Sequence, residues 1–290
     1  MSNLKGVGVA LVTPFHEDLS VDFESLTKLV EYNIENGTNY LVVLGTTAEA
    51  ATLSTEEKEQ VVNHIIKVNN GRLPLVLGIG GNNTMEVKKQ IEETDLSAFE
   101  AVLSVSPYYN KPNQEGLYQH YKVLAGTGKK IIIYNVPSRT GQNIEASTTL
   151  RLAREFPNFI LIKEAAPNIL QYFDILRLKP EHFNLVSGDD EFTLPVTLAG
   201  GAGVISVIGQ GYPKEFSTMV QLAFDGKVKE AYVIHNKLVE ITRLIFAEGN
   251  PGGIKTVLAE KGIIKNYLRL PLIPASEGLQ EQIKAAMKTI

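Results

Sequence analysis

The sequence contains no cysteine among its 290 residues. Disulfide bonds, thiol nucleophiles and zinc–thiolate sites are therefore excluded, and the absence fits a reducing compartment. The chain also lacks any run of lysine and arginine, and its formal net charge is −4. Because a nucleic-acid site needs a basic stripe that follows the phosphates, nucleic acid is not expected as a partner.

Long apolar runs are missing as well: no stretch approaches the ~20 apolar residues of a membrane-spanning helix. The opening MSNLKGVGVALVTPF has a short apolar run that stops at Thr13 and Pro14, with no small-residue cleavage site after it. It therefore predicts a first core strand rather than a signal peptide. Together these features favour a cytoplasmic protein without a membrane partner.

The sequence shows no cluster of residues suited to binding a metal ion. Of the five histidines, only His16 lies near the carboxyl end of a predicted strand, and no carboxylate–histidine cluster accompanies it. Asp189 and Asp190 could hold a cation, although a solvated loop is favoured there. No glycine-rich dinucleotide motif follows the first strand, and this weakens a nucleotide-binding interpretation.

Eight short apolar runs begin near residues 6, 40, 73, 101, 131, 159, 183 and 203. They are too continuous for half-solvated strands and predict strands covered on both faces. Amphipathic stretches with helical spacing separate them, and Ser54 and Glu57 form a capping box before one of these. This alternation predicts a (β/α)₈ TIM barrel of the α/β class. A doubly wound open sheet is the alternative, because alternation alone does not reveal closure.

No further strand is needed after residue 210, where the remaining segments have helical patterns. One of these helices is expected to complete the barrel. The sequence therefore predicts a barrel over residues 1–225. It predicts a C-terminal helical appendix over residues 226–290, packed on the barrel and not independent of it.

Polar side chains stand at the carboxyl ends of the predicted strands, where such barrels carry their chemistry. Lys163 ends the run Phe159–Ile162, and by alternation its side chain should point into the barrel, parallel to those of Phe159 and Leu161. Burial lowers the pKa of a lysine, and a neutral amine condenses with carbonyls. A strand-end lysine that reaches water or pairs with a carboxylate fits the pattern equally well.

Two further strand ends, the second and the fifth, carry candidate residues, each with a plainer alternative. Tyr134 could transfer protons, but filling the core is favoured for it when taken alone. The planar fork of Arg139 suits a carboxylate, although a surface salt bridge is as compatible. Thr46 and Thr47 could hold an anion or relay a proton, or could simply form a turn before a helix.

The strand-end stretches GTTAEAATLS, SPYYNKPNQEGLYQHY, YNVPSRTG, IKEA, SGDD and GVISV follow one another from residue 45 to residue 207. With GVGVALVTPF before them and LRLPLIP after them, they resemble the dihydrodipicolinate synthase family of the pyruvate-dependent lyase and aldolase superfamily. The resemblance covers nearly the whole chain. One departure is GTTAEA, where the family more often has glycine and serine at the positions of Ala48 and Ala50.

The resemblance implies a barrel that assembles as a homotetramer built from tight dimers. It implies condensation of pyruvate with L-aspartate 4-semialdehyde to 4-hydroxy-tetrahydrodipicolinate, which opens lysine biosynthesis through diaminopimelate, without a metal or organic cofactor. The near alternative is a related lyase such as N-acetylneuraminate lyase or a keto-deoxy sugar-acid aldolase. Those relatives usually lack the arginine motif YNVPSRTG. The far alternative is a non-catalytic barrel used for binding or regulation.

Matched motif by motif, the resemblance implies roles for the strand-end residues. Lys163 would form the Schiff base with pyruvate, and Tyr134 would shuttle protons. Thr46 and Tyr109 would complete a proton relay, with Tyr109 reaching in from the neighbouring subunit. Arg139 would grip the semialdehyde carboxylate. The implied substrate-binding residues are Thr47, Arg139, Gly188 and Ile205.

Family members that are inhibited by L-lysine bind it at the dimer interface, beside the loop and helix after the second strand. The residues of this chain at the corresponding positions are Ala51, Thr55, Lys58, Asn82, Glu86 and Tyr108. Lysine-sensitive bacterial relatives often have histidines where this chain has Thr55 and Lys58. A fixed positive charge at Lys58 would repel the cationic ligand, so weak or absent sensitivity to lysine is predicted.

Overall fold

The computed structural model describes residues 4–290 of the chain. Eight parallel strands follow one another around a closed barrel, in which the last strand pairs with the first. The strands are β1 Gly6–Ala10, β2 Tyr40–Val43, β3 Leu75–Gly78, β4 Ala101–Val105, β5 Ile131–Asn135, β6 Phe159–Glu164, β7 Asn184–Ser187 and β8 Gly203–Ser206. The closure confirms the predicted (β/α)₈ barrel and excludes the doubly wound open sheet.

Helices alternate with the strands and continue beyond them. In the described residues they are α1 Phe23–Glu35, α2 Thr55–Asn69, α3 Thr84–Glu93, α4 Gln114–Ala125, α5 Pro137–Thr140, α6 Ala146–Glu155, α7 Ile169–Leu178, α8 Thr193–Leu198, α9 Pro213–Phe224, α10 Val228–Phe246, α11 Gly252–Glu260 and α12 Glu277–Met287. Ser54 and Glu57 form the predicted capping box at the start of α2. Asp22 caps α1, which Gly37 follows at a positive φ of 92°.

The strands place their side chains in two layers, because successive residues face opposite sides of a sheet. The inner layer fills the barrel and includes Ala10, Val42, Val76, Leu103, Ile132, Tyr134, Leu161, Val186 and Ile205. The outer layer is larger and packs the strands against the surrounding helices. The barrel interior is therefore a packed core, and polar chemistry is confined to its end.

Strand β6 departs from regular alternation at its beginning. Ile131 of β5 pairs with Phe159, but the next residue, Ile132, pairs with Leu161, so the register shifts by one residue. Phe159 consequently belongs to the outer layer, whereas Leu161 belongs to the inner layer. The prediction that Phe159 lies parallel to Lys163 is wrong. A bulge inserts one residue, and alternation holds only beyond it.

The C-terminal helices continue the helical ring rather than the sheet. Helix α9 packs against β1, and α10 packs against α8 and α9 and is joined by α11 and α12. The division of the chain after residue 225 into a barrel and a dependent appendix stays a prediction. Within residues 4–290, no helix combines the length and apolar character needed to cross a membrane.

Candidate active site

Lys163 and Tyr134 meet at the carboxyl ends of β6 and β5. They are direct register partners in the parallel ladder. The Nζ atom of Lys163 lies 4.3 Å from the centroid of the Tyr134 ring. Only 5% of Lys163 and 6% of Tyr134 is exposed. A buried amine therefore stands beside a buried aromatic hydroxyl at the end of the barrel.

The carboxylate next to Lys163 in sequence does not pair with it. Glu164 points to the outer layer, where it accepts hydrogen bonds from the side-chain amides of Asn135 (2.8 Å) and Gln171 (2.8 Å). The backbone N–H of Ala166 donates a third bond at 2.7 Å. Burial raises the pKa of Glu164 to about 7, and these hydrogen bonds oppose the rise. Among residues 4–290, no carboxylate forms an ion pair with Lys163.

Gly188, just after β7, leaves room for the lysine. A Cβ atom at this position would lie 3.0 Å from Cε of Lys163 and 2.8 Å from Cβ of Ala165. The N–H of Gly188 also donates to the carbonyl of Glu164 at 2.6 Å, which brings the two strand ends together. Ile205 is 1% exposed and belongs to the inner layer on β8. Gly188 therefore borders the strand end that carries the amine, whereas Ile205 lies one strand further around the barrel.

Thr46 and Thr47 begin a short 3₁₀ turn, Thr46–Ala48, directly after β2. Thr46 is exposed and lines the cavity at the barrel mouth, whereas Thr47 is buried. The side-chain amide of Asn250 donates to Oγ1 of Thr47 at 2.9 Å. The hydroxyl of Thr13 donates to the carbonyl of Ala48 at 2.7 Å. The turn is therefore held from the C-terminal segment and from the β1 loop.

Arg139 lies on the short helix α5 after β5 and is exposed. Its Nη2 donates to the carbonyl of Asn250 at 3.4 Å. In the described part of the chain it forms no ion pair with a carboxylate, so the surface salt bridge considered for it is not made. Its guanidinium remains available for an acidic ligand.

A cavity of about 480 Å³ opens at this end of the barrel. Its lining combines residues from the loops after β2, β4 and β5 with part of the C-terminal segment. It includes Thr46, Glu49, Ala51, Lys58, Val105, Tyr108, Tyr134, Arg139, Asn250 and Leu272. The cavity thus joins two of the predicted catalytic residues, Thr46 and Tyr134, to part of the predicted lysine-binding group, whereas Lys163 lies behind Tyr134 and is not part of the lining.

A family model described as the dihydrodipicolinate synthetase family matches residues 3–290. The chain belongs to this family. It is 54% identical over 286 residues to a 4-hydroxy-tetrahydrodipicolinate synthase of Flavobacterium psychrophilum, covering 98% of each chain. It is 52% identical over 289 residues to the enzyme of the same name from Parabacteroides distasonis, covering 99% of this chain and 97% of the relative.

A solved structure shows the same likeness within the family. The chloride-inhibited dihydrodipicolinate synthase from Acinetobacter baumannii, complexed with pyruvate, superposes with a TM-score of 0.95. It is 41% identical, and the match covers 99% of this chain and 98% of that chain. The family membership suggested by the strand-end motifs is therefore confirmed.

Tyr109 stands apart from the other residues that the family resemblance selects. It is 89% exposed, on the loop after β4, and its backbone has a positive φ of 71°. It is absent from the cavity lining, whereas its neighbour Tyr108 is part of it. One chain alone therefore does not bring Tyr109 to Tyr134.

The residues predicted for lysine binding fall into two groups. Ala51, Lys58 and Tyr108 line the cavity. Asn82 adjoins them, because its side-chain amide donates to the carbonyl of Tyr108 at 3.1 Å. Thr55 and Glu86 are both exposed in the first turns of α2 and α3 and lie outside the cavity lining. Lys58, whose charge carried the prediction, does face the cavity.

The pair Asp189–Asp190 is not the solvated loop that the sequence favoured. Asp190 is 4% exposed and accepts the N–H groups of Val207 (3.1 Å) and Ile208 (3.0 Å). Burial raises the pKa of Asp190 to about 6. Asp189 accepts the N–H of Glu191 at 2.9 Å, just before α8. Both carboxylates join the strand ends, and residues 4–290 hold no cluster of side chains suited to a metal ion.

Three residues near the site were missed in the sequence. Asn250 reaches both Thr47 and Arg139, and Glu49 forms a buried ion pair with Lys255. Their partners lie more than 100 residues away along the chain, so no local pattern marks them. The sequence features that could have indicated the ion pair were an acidic residue within GTTAEA and a lysine inside the apolar stretch GGIKTVLA.

Proposed function

We infer that this protein condenses pyruvate with L-aspartate 4-semialdehyde to 4-hydroxy-tetrahydrodipicolinate, a lyase reaction that opens lysine biosynthesis through diaminopimelate. The observation that carries the inference is the buried, unpaired amine of Lys163 beside Tyr134, in a chain of this family. The two closely similar relatives from Flavobacterium psychrophilum and Parabacteroides distasonis bear the name of this enzyme.

The proposed reaction begins at the amine of Lys163. It attacks the ketone carbon of pyruvate, and loss of water gives an iminium, with Tyr134 supplying and removing protons. The iminium draws electrons from the methyl group, which loses a proton to become an enamine. The enamine carbon bonds to the aldehyde carbon of the second substrate. The amino group of that substrate then attacks the iminium carbon, releases Lys163 and closes the ring.

The threonine turn supplies the proposed proton relay and part of the pyruvate site. Thr46 and Tyr109 pass protons between Tyr134 and solvent, and Thr47 binds the pyruvate carboxylate. Gly188 is proposed to leave space beside the amine, and Ile205 to form apolar wall. The support is that Thr46 and Tyr134 line one cavity, and that a Cβ at Gly188 would crowd Lys163.

We propose that Tyr109 acts across a dimer interface, in a homotetramer made from two tight dimers. An aromatic ring that is 89% exposed on a loop with a positive φ is costly for an isolated chain. Burial against a second copy would offset that cost and would bring the hydroxyl toward the neighbouring cavity.

Arg139 is proposed to select the second substrate by binding its carboxylate. Arg139 lines the cavity, and no carboxylate of the described residues forms an ion pair with its guanidinium. A planar guanidinium recognises a carboxylate through two parallel hydrogen bonds. This arrangement favours the semialdehyde over the sugar acids used by N-acetylneuraminate lyase and keto-deoxy sugar-acid aldolases.

We propose that the reaction needs no metal or organic cofactor. The iminium of Lys163 already serves as the electron sink that a metal or cofactor would otherwise provide. A cytoplasmic location also stays a prediction, based on the cysteine-free sequence.

The decisive experiment combines trapping with a substrate comparison. Borohydride with pyruvate should leave one reduced adduct per chain, located by peptide mass at Lys163, with the equally buried Lys255 unmodified. A coupled assay should then show turnover with pyruvate and aspartate semialdehyde, but not with pyruvate and N-acetylmannosamine. Absence of the adduct, or preference for the sugar, would reject the proposed function.

A further inference from the structure

A second buried lysine lies behind the threonine turn. Nζ of Lys255, on α11, is 2.6 Å from Oε1 of Glu49, and both side chains are completely shielded from solvent. Nζ also donates to the carbonyl of Tyr267 at 2.8 Å and lies 4.3 Å from the ring centroid of Phe15. Burial lowers the pKa of Lys255 to about 8, while Glu49 beside it favours the charged form.

The other oxygen of Glu49 is bound to the C-terminal segment as well. Oε2 accepts the backbone N–H of Arg269 at 3.0 Å. The side chain of Arg269 in turn forms an ion pair with Glu57 at 2.6 Å and donates to the carbonyl of Thr52 at 2.9 Å. The loop from Glu49 to Glu57 is therefore attached to the C-terminal segment at several points.

Glu49 also controls the backbone beside the threonines. Its φ is 54° and its ψ is 33°, a left-handed conformation that is unfavourable for a residue with a side chain. It separates the turn Thr46–Ala48 from the turn Ala50–Thr52, and its N–H donates to the carbonyl of Thr46 at 3.2 Å. A change at Glu49 would therefore be transmitted directly to Thr46.

The energetics of such a pair do not favour stability as its purpose. Removing two charges from water costs several kcal/mol, and well-packed apolar residues of similar size are often as stabilising as a buried ion pair. What an ion pair adds is a defined geometry, because its attraction depends on distance and direction. A role in fixing the position of the turn is consistent with both the strain and the complete burial.

We propose that Glu49 and Lys255 are positioning residues that fix Thr46 and Thr47 for the reaction. The ion pair locks the left-handed turn to the C-terminal helices, while Asn250 holds Thr47 from the same segment. This role rests on the proposed function, since it concerns the proton relay of the condensation. Misplacement of a reacting group by about 1 Å can slow a reaction roughly 100-fold.

The test uses the double variant Glu49→Gln/Lys255→Met in the full chain, because it leaves no unpaired buried charge. We expect kcat to fall roughly 10- to 100-fold, while saturating pyruvate and borohydride still give the Lys163 adduct. Lys284→Met removes an exposed ion pair with Glu281 in the same C-terminal segment and should leave kcat unchanged.

A double-mutant cycle with Thr46→Val distinguishes positioning from general damage. If the ion pair acts through Thr46, its removal should cost less than threefold once Thr46 is already valine. Losses that multiply fully, or unchanged kcat in the folded double variant, would overturn the proposal. Should the double variant not fold, Lys255→Arg keeps the charge but moves it, and must also lower kcat. A wild-type protein without the pyruvate adduct would instead reject the proposed function.

Discussion

The two buried lysines of this protein stand in contrasting surroundings. Lys163 lies at the carboxyl end of β6. No carboxylate of the described residues pairs with it, although Glu164 is its neighbour in sequence. Lys255 lies on a helix against the same end of the barrel and is paired with Glu49 at 2.6 Å. Both are almost wholly shielded from water.

The difference indicates what each lysine is for. An amine without a carboxylate partner is free to attack a carbonyl, which is the step that imine formation requires. An amine held by a carboxylate favours its charged form and instead fixes the elements that carry the two groups. Burial alone therefore does not identify a catalytic lysine, whereas burial without a carboxylate partner, beside the tyrosine at the end of the barrel, indicates one.

The most severe test of the comparison replaces each of the two lysines in turn. Lys163→Ala should lower turnover on the order of 10⁴-fold or more, because the covalent step is lost. Borohydride with pyruvate should then leave no adduct, whereas Lys255→Met should still be labelled at Lys163. Labelling of Lys255 in Lys163→Ala, or loss of the adduct in Lys255→Met, would show that the assignment is reversed.

The carboxyl group of Glu164 allows a second test of the comparison, because it forms no ion pair with the amine of Lys163. Its folded-state pKa is about 7 rather than the usual 4.5, so between these pH values the folded protein binds more protons than the unfolded chain. Stability should therefore fall as pH rises through this window, by up to roughly 3 kcal/mol. Glu164→Gln should remove this contribution.

Urea unfolding of the wild type and of Glu164→Gln at pH 4.5 and pH 7.5 measures the effect, with other ionisable groups common to both proteins. The stability of the variant relative to the wild type should increase with pH. An unchanged difference would mean that Glu164 is already ionised near pH 4.5, as expected if it were in fact paired with Lys163.

Tyr134 tests whether the unpaired lysine has a partner for proton transfer. Tyr134→Phe should lower kcat at least ~100-fold with the fold retained, because the hydroxyl is lost and the ring remains. Tyr40→Phe is the matched control, since this buried tyrosine faces the barrel interior near the opposite end and donates to the carbonyl of Val204. Near-normal turnover in Tyr134→Phe would return this residue to a core-filling role.

Arg139 extends the comparison from the amine to the substrates. Arg139→Ala should raise the KM for aspartate semialdehyde roughly tenfold or more and alter the KM for pyruvate little, because one carboxylate loses its partner. Arg154→Ala, which changes an exposed residue in the last turn of α6, serves as the control. Equal rises in both KM values would indicate that Arg139 maintains the architecture of the mouth.

The smallest expected effect concerns a third lysine, Lys58, which lines the cavity. At ~4 Å in a medium of effective dielectric 20, two like charges cost up to ~4 kcal/mol, and solvent exposure reduces this to about one or two. Inhibition by L-lysine should therefore be weak, and Lys58→His should strengthen it roughly tenfold. Titration of lysine at fixed pyruvate measures this, and half-inhibition well below millimolar in the unchanged protein contradicts it.

Much of the barrel could be predicted because its signals are local. Each strand is a continuous apolar run, and each begins within about two residues of the predicted position. Lys163 and Tyr134 were found because both end such runs, and chain order then makes their strands neighbours. Alternation failed at Phe159, since a bulge depends on pairing with the adjacent strand and leaves no mark in the sequence.

The sequence by itself determined the eight strands, the capping box at Ser54 and the polar residues at the strand ends, because periodicity and capping act over a few residues. Only the tertiary structure decided that Glu164 turns away to the amides of Asn135 and Gln171, and that Glu49 meets Lys255. The physical reason is separation along the chain. Closure of the barrel brings distant segments together, and this decides which buried charge is paired with a counter-ion. No local sequence pattern contains that information.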